Sequence, residues 1–229
     1  MDISNSYGER IKKVKAVIFD LDGTLADTVG SIREAVNMAM RKFGFAERSY
    51  DEVVAAIGNG ARLLIKRLLP SDVACDDVIL DKVLAFYDEC YKKTYLNCRQ
   101  CYDGIPELIT ALKACGLRLG VLSNKQDFQT KGLVDSLFPS HPFDFVQGQT
   151  ELPKKPDPTV PLMAAKSLGA EAGECLYIGD SDVDVLTAKN AGMIPLAVSW
   201  GYRTEDQLRD VGAEVIAKDV SDIFLLFHL

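Results

Sequence analysis

The chain has 229 residues, with 26 Lys+Arg against 33 Asp+Glu, a net charge of −7 and a hydrophobic fraction of 48%. That length can bury a full core in one large or two small domains. The acidic balance argues against nucleic-acid binding, which draws on clustered Lys and Arg, and no apolar run approaches the ~20 residues of a membrane span.

Met1 to Glu9 is polar and lacks the apolar stretch of a signal peptide, so a cytoplasmic chain without membrane attachment is expected. Arg10 to Lys15 holds four cations in six residues and reads as a solvated edge ahead of a strand. Lys15–Phe19 is a short apolar run of the buried-strand kind. Similar runs recur at Leu117–Leu122, Phe143–Val146, Cys175–Ile178, Ile194–Val198 and, more faintly, Ala213–Ile216. Between and after them lie segments of helical length and period: Ile105–Ala114, Gln126–Phe138, Pro158–Leu168, Ser181–Ala191 and Glu205–Val211. Alternating strands and helices predict an α/β fold, a Rossmann-like doubly wound parallel sheet with helices on both faces. Ligands of such sheets sit at the carboxyl ends of the strands.

Residues 28–97 break the alternation. Val29, Ile32, Val36, Ala39 and Phe43 form a helical stripe. Ser49-x-x-Glu52 reads as a capping box. After Gly58-Asn59-Gly60, Leu63, Leu64, Leu68 and Leu69 continue a helical pattern that Pro70 closes. Ile79, Val83, Tyr87 and Cys90 form another stripe. The prediction is an α/β core of residues 1–27 and 98–229 with an all-helical insert, 28–97, after the first strand. Gly58 to Gly60 serves equally as a helix terminator or a substrate-facing loop. Arg62, Lys66 and Arg67 read as a solvated helix face that could also receive an anionic group.

Six cysteines are scattered and are expected to be free thiols in a reducing compartment. Cys98-Arg-Gln-Cys101 has metal-ligand spacing, but no second such pair follows, so a zinc or redox role is not expected. With only His141 and His228, histidine acid–base schemes have few candidates.

Four clusters fall just after expected strands: Asp20-Leu-Asp22-Gly23-Thr24-Leu25, Ser123-Asn124, Lys155-Pro-Asp-Pro158 and Gly179-Asp180-Ser-Asp-Val-Asp184. Taken singly each passes for turn or cap chemistry, with Ser181 as a helix N-cap. Together they land on one edge of one sheet, which turns and caps alone do not explain.

In these four clusters, in this order, the chain resembles the haloacid dehalogenase-like hydrolase superfamily. The resemblance covers essentially the whole chain, and the helical insert looks like that family's small helical cap. Lys155-Pro-x-Pro158, Asn190-Ala-Gly192 and Trp200-Gly-Tyr202 are most similar to its phosphoglycolate phosphatase-type members. The resemblance implies a Mg²⁺-dependent phosphatase acting on a small-molecule phosphate ester, as a monomer or homodimer. It implies Asp20 as the nucleophile that becomes an aspartyl-phosphate, and Asp22 as general acid and then base. It implies Mg²⁺ held by Asp20, the Asp22 main-chain carbonyl and Asp180, with Asp184 steadying the metal's waters or Lys155. Ser123, Asn124 and Lys155 are expected to grip phosphate, with the backbone of Gly23 and Thr24 approaching it.

An Asp at position 22 favours C–O–P chemistry over the dehalogenase and phosphonate-cleaving branches. A sugar-phosphate mutase of the β-phosphoglucomutase kind is an alternative, as is an inorganic pyrophosphatase. Against the mutase, this chain has Thr24 where mutases usually have Val, and no His early in the insert. A non-catalytic module that binds a metal or a partner is the remaining class. It has no need of Asp20, Asp22, Ser123, Lys155 and Asp180 together.

Overall fold

The structure is a computed structural model and describes residues 5–97 and 100–228. The elements in chain order are α1 (Asn5–Ile11), β1 (Ala16–Phe19), β2 (Ala26–Asp27), α2 (Val29–Lys42), α3 (Tyr50–Ala56), α4 (Ala61–Leu68) and α5 (Asp77–Thr94). There follow β3 (Gln100–Cys101), α6 (Ile105–Ala114), β4 (Arg118–Gln126), α7 (Asp127–Leu137), β5 (Phe145–Gln149) and α8 (Thr159–Ser167). After a 3₁₀ turn at Ala172–Glu174 come β6 (Cys175–Gly179), α9 (Asp182–Asn190), β7 (Ile194–Val198), α10 (Glu205–Asp210), β8 (Ile216–Ala217) and α11 (Val220–Phe227). The chain divides into two compact units, Met1–Ala26 with Cys101–Leu229, and Asp27–Gln100. The short strands β2 and β3, where the chain passes between the units, pair with each other.

The first unit is the expected α/β fold. Its six-stranded sheet has the order β5-β4-β1-β6-β7-β8, and its paired strands are parallel. All residues of β1, β6 and β7 are buried, as strands covered on both faces must be. That double burial explains why Ala-Val-Ile-Phe and Cys-Leu-Tyr-Ile appear in the sequence as unbroken apolar runs. The strand order reverses at β1, which pairs with β4 on one side and β6 on the other. Phe19 is level with Val121 and Ile178, so the residues that come next along β1, β4 and β6 emerge together at the switch point.

Three strands differ from the expected positions. Strand β4 runs on past Leu122 to Gln126, so Ser123 and Asn124 lie within it, where its pairing with β5 shifts register, rather than just after it. The run at Phe143–Val146 starts pairing only at Phe145 and continues to Gln149. The faint run at Ala213–Ile216 shrinks to β8, Ile216–Ala217, after a turn with Gly212 at φ 83°. Helix α1 leads into the cationic stretch, whose Lys12, Lys13 and Lys15 are exposed as expected. It buries Tyr7 and Ile11, and the Tyr7 hydroxyl donates to the Pro195 carbonyl at 2.8 Å.

The second unit is helical across α2 to α5. Helix α2 buries Val29, Ile32, Ala35, Val36, Ala39 and Met40, and α5 buries Leu80, Val83, Tyr87, Cys90 and Tyr91. Ser49 and Glu52 form the capping box that opens α3. Gly60, at φ 84°, opens α4. Arg62 pairs with Asp77 and Asp81, and Arg67 donates to the Ala56 carbonyl and to Asn59 Oδ1. These two arginines therefore brace the helical unit itself. Among the described residues no helix is long and apolar enough to cross a membrane.

Candidate active site

The first unit gathers four of the sequence-selected residues at the carboxyl edge of its sheet. Asp20 follows β1, and its N–H still donates to Ile178 of β6 at 2.9 Å, which fixes where the side chain leaves the strand. Asp180 follows β6. Asp184 sits in the first turn of α9, where a capping box with Ser181 holds it: Asp184 Oδ2 accepts from the Ser181 N–H at 3.1 Å and hydroxyl at 2.5 Å. Lys155 reaches in from the loop after β5. Its Nζ lies 2.8 Å from Asp20 Oδ1, 2.8 Å from Asp184 Oδ1 and 3.2 Å from the Leu122 carbonyl. All four side chains are buried.

Burial shapes the charges here. It pushes the Asp20 carboxyl well above the usual carboxylate range, and nearby Asp184 adds to the rise against the opposing pull of Lys155. Asp180 is raised to about 7 by burial and by Asp184, against hydrogen bonds from the Tyr202 N–H and Thr24. Burial alone would lower Lys155, but Asp184 and Asp20 outweigh it and hold the ammonium well above the usual lysine range. The buried Tyr177 ring lies 5.7 Å from Lys155 Nζ.

Asp20, Asp180 and Asp184 bring carboxylate oxygens within 4.8 Å of one another. Three carboxylates against one lysine leave two formal negative charges. A divalent cation would balance them, and an all-oxygen donor set suits a hard ion such as Mg²⁺. Asp184 belongs to this cluster while it also binds Lys155.

The remaining selected residues have other partners. Asp22 Oδ1 lies 3.0 Å from Lys125 Nζ, a lysine whose side chain is only 5% exposed. Lys125 was not anticipated. Its only signal in the sequence is that it directly follows Ser123-Asn124 at the same edge. Ser123 Oγ accepts from the Lys125 N–H at 3.1 Å. The Asn124 amide braces the Lys155 backbone, accepting from its N–H at 2.9 Å and donating to its carbonyl at 3.1 Å. Gly23, at φ 86°, turns the chain, and its N–H donates to Ala26 rather than outward. The Thr24 N–H donates to Leu21, and the Thr24 hydroxyl donates to Asp180 Oδ1 at 3.2 Å. The expected approach of these two amides to phosphate is therefore not the arrangement seen; both close the turn. Cys98 lies outside the described residues, and burial pushes the Cys101 thiol up to about 11, away from the thiolate that metal or redox chemistry needs.

The sequence profile of the haloacid dehalogenase-like hydrolases matches residues 17–198, from β1 to the end of β7. The chain belongs to this family. Among curated relatives, a phosphoglycolate phosphatase of Rhodospirillum rubrum is 35% identical over 216 residues, covering 91% of this chain and 89% of the relative. Phosphoglycolate phosphatase 1 of Pseudomonas aeruginosa is 30% identical over 213 residues, covering 91% and 78%. Among solved structures, a protein assigned as a phosphoglycolate phosphatase from Lactobacillus delbrueckii superposes with a TM-score of 0.87 at 28% identity, covering 93% of this chain and 98% of that one.

Proposed function

We propose that this phosphoric monoester hydrolase uses Asp20 as its nucleophile and Mg²⁺ as its cofactor, with 2-phosphoglycolate as the favoured substrate. The observation that carries the proposal is Lys155 Nζ, 2.8 Å from both Asp20 and Asp184, beside a third buried carboxylate. An ammonium so placed pulls Asp20 toward its ionised form, against its burial, and a nucleophilic carboxylate needs that form. The names of the relatives favour phosphoglycolate among small phosphomonoesters.

Asp20, Asp180 and the Asp22 main-chain carbonyl would hold Mg²⁺, which when bound would neutralise phosphate oxygens and the charge that develops on them. A carboxylate oxygen of Asp20 attacks phosphorus, and the bond from phosphorus to the ester oxygen breaks. Asp22 gives that leaving oxygen its proton. Asp22 then takes a proton from water, and the resulting hydroxide attacks phosphorus and releases phosphate from Asp20. Lys125, 3.0 Å from Asp22 Oδ1, orients the shuttle carboxylate between these steps. Lys155 bridges Asp20 to Asp184, and the Ser181 cap anchors Asp184 in turn.

The testing experiment is a panel of 2-phosphoglycolate, sugar phosphates, nucleotides and pyrophosphate, assayed for phosphate release with Mg²⁺. The expected result is release from phosphoglycolate well above the others, abolished in Asp20→Asn. Equal, feeble turnover of the whole panel would overturn the substrate. Isomerisation of a sugar phosphate without net phosphate release would overturn the hydrolase in favour of a mutase.

A further inference from the structure

The Trp200-Gly201-Tyr202 segment after β7 takes no part in the chemistry above, yet it touches Asp180 and the β1 turn at three points. The Tyr202 N–H donates to Asp180 Oδ2 at 2.7 Å. The Trp200 indole Nε1–H donates to the Thr24 carbonyl at 3.1 Å, and the Thr24 hydroxyl in turn donates to Asp180 Oδ1 at 3.2 Å. Between them, a Cβ on Gly201 would overlap the Gly23 carbonyl oxygen and the Asp180 Cβ and Oδ2. Gly201 does not sit at a positive φ, so close approach, not backbone conformation, is what requires glycine there. Gly23 closes the other side, where a Cβ would overlap both Asp180 carboxylate oxygens. The Asp180 carboxylate is thus held between two glycines, with one donor fixed on each oxygen.

We propose that Trp200, Gly201 and the Tyr202 main chain are positioning elements that set the Asp180 carboxylate for a divalent cation. The inference rests on the metal reading above. Each Asp180 oxygen has more than one acceptor site, and one donor on each locks the rotation of the carboxylate while leaving the rest for a cation. The Trp200 indole and the Tyr202 main chain therefore act through Asp180.

The test is Mn²⁺ binding to the full chain without substrate, read by electron paramagnetic resonance, for wild type, Trp200→Phe, Gly201→Ala and Asp180→Asn. Removing a partner of a metal ligand weakens affinity by about 10- to 100-fold. Gly201→Ala is expected in that range. Trp200→Phe, which deletes the indole donor and trims the ring, is expected at its lower end, with turnover restored by raising the metal concentration. If Gly201→Ala fails to fold, Trp200→Phe alone decides. Wild-type Mn²⁺ affinity in Trp200→Phe overturns the inference. Wild-type affinity in Asp180→Asn would instead overturn the metal reading beneath it.

Discussion

Replacing Lys155 with Met keeps much of the stem volume and deletes the charge at the centre of the site. Lys155 Nζ lies 2.8 Å from Asp20 Oδ1 and 2.8 Å from Asp184 Oδ1, with the lysine side chain 6% exposed. At an effective dielectric of about 20, each pair attracts by about 6 kcal/mol. Desolvation of the three groups offsets most of that attraction. Without the lysine, two buried carboxylates face each other uncompensated, and breaking a buried pair in this way costs about 3–5 kcal/mol. In a chain of this size each kcal/mol moves Tm by about 2–4 °C, so melting in chelator at pH 8 should fall by about 6–20 °C. The loss should be smaller at pH 5. Asp20 is already pushed well up by burial, and without Lys155 it rises further and takes up a proton instead of staying charged. Circular-dichroism melts of Lys155→Met, Asp184→Asn and the double variant at both pH values read this directly. In the double variant the side chain at position 184 is a neutral amide, so part of the loss should return. Phosphate release by Lys155→Met should drop by about 10²–10³-fold, the usual effect of removing one group that stabilises charge in a transition state. A change in stability below about 1 kcal/mol at pH 8, or one equal at pH 5 and pH 8, would refute the reasoning.

Asp180 makes the chelated protein less stable as pH rises. Its folded pKa of about 7 lies above the ordinary 3.8, so its contribution is full below about pH 4 and lost as pH passes 7. The expected span is on the order of 4 kcal/mol, and Asp180→Asn should flatten most of that slope in melts run in chelator. Mg²⁺ should stabilise more at pH 8 than at pH 5, because protons and metal compete for the same carboxylates; equal stabilisation at both would count against the cluster as the metal site. Lys125→Met should lower kcat by at least about tenfold while leaving Mn²⁺ affinity within about twofold of wild type, since it holds Asp22 and not the carboxylate cluster. Tyr7→Phe should cost about 1–2 kcal/mol in urea unfolding, by leaving the Pro195 carbonyl in the buried strand β7 without its donor.

Much of the fold is written in the sequence because parallel strands buried on both faces must be continuously apolar. Ala16–Phe19 and Cys175–Gly179 carry no charged residue for that reason. Helix starts are also visible, since capping needs Ser49 with Glu52 and Ser181 with Asp184 at fixed spacing. Helix α1 is hidden because only Tyr7 and Ile11 anchor it, too few to make a period. Helix α11 is hidden for the opposite reason, since Phe224-Leu-Leu-Phe227 is apolar without a period and fits a strand equally well. At the site, the residues that follow strands are visible because chain order and sheet order bring strand ends to one edge. What each side chain faces is not visible. The Lys125–Asp22 pair joins positions about a hundred residues apart. The closeness that demands glycine at 201 depends on Gly23 and Asp180, which no local pattern connects to it.

The central claim is that Asp20 carries the phosphoryl group, and rapid acid quenching during turnover of labelled phosphoglycolate tests it most directly. Peptide mapping by mass spectrometry should find one added phosphoryl group on the peptide containing Asp20, absent from Asp20→Asn. Phosphate released at full rate with no label on the protein, or label on a peptide without Asp20, would contradict the account.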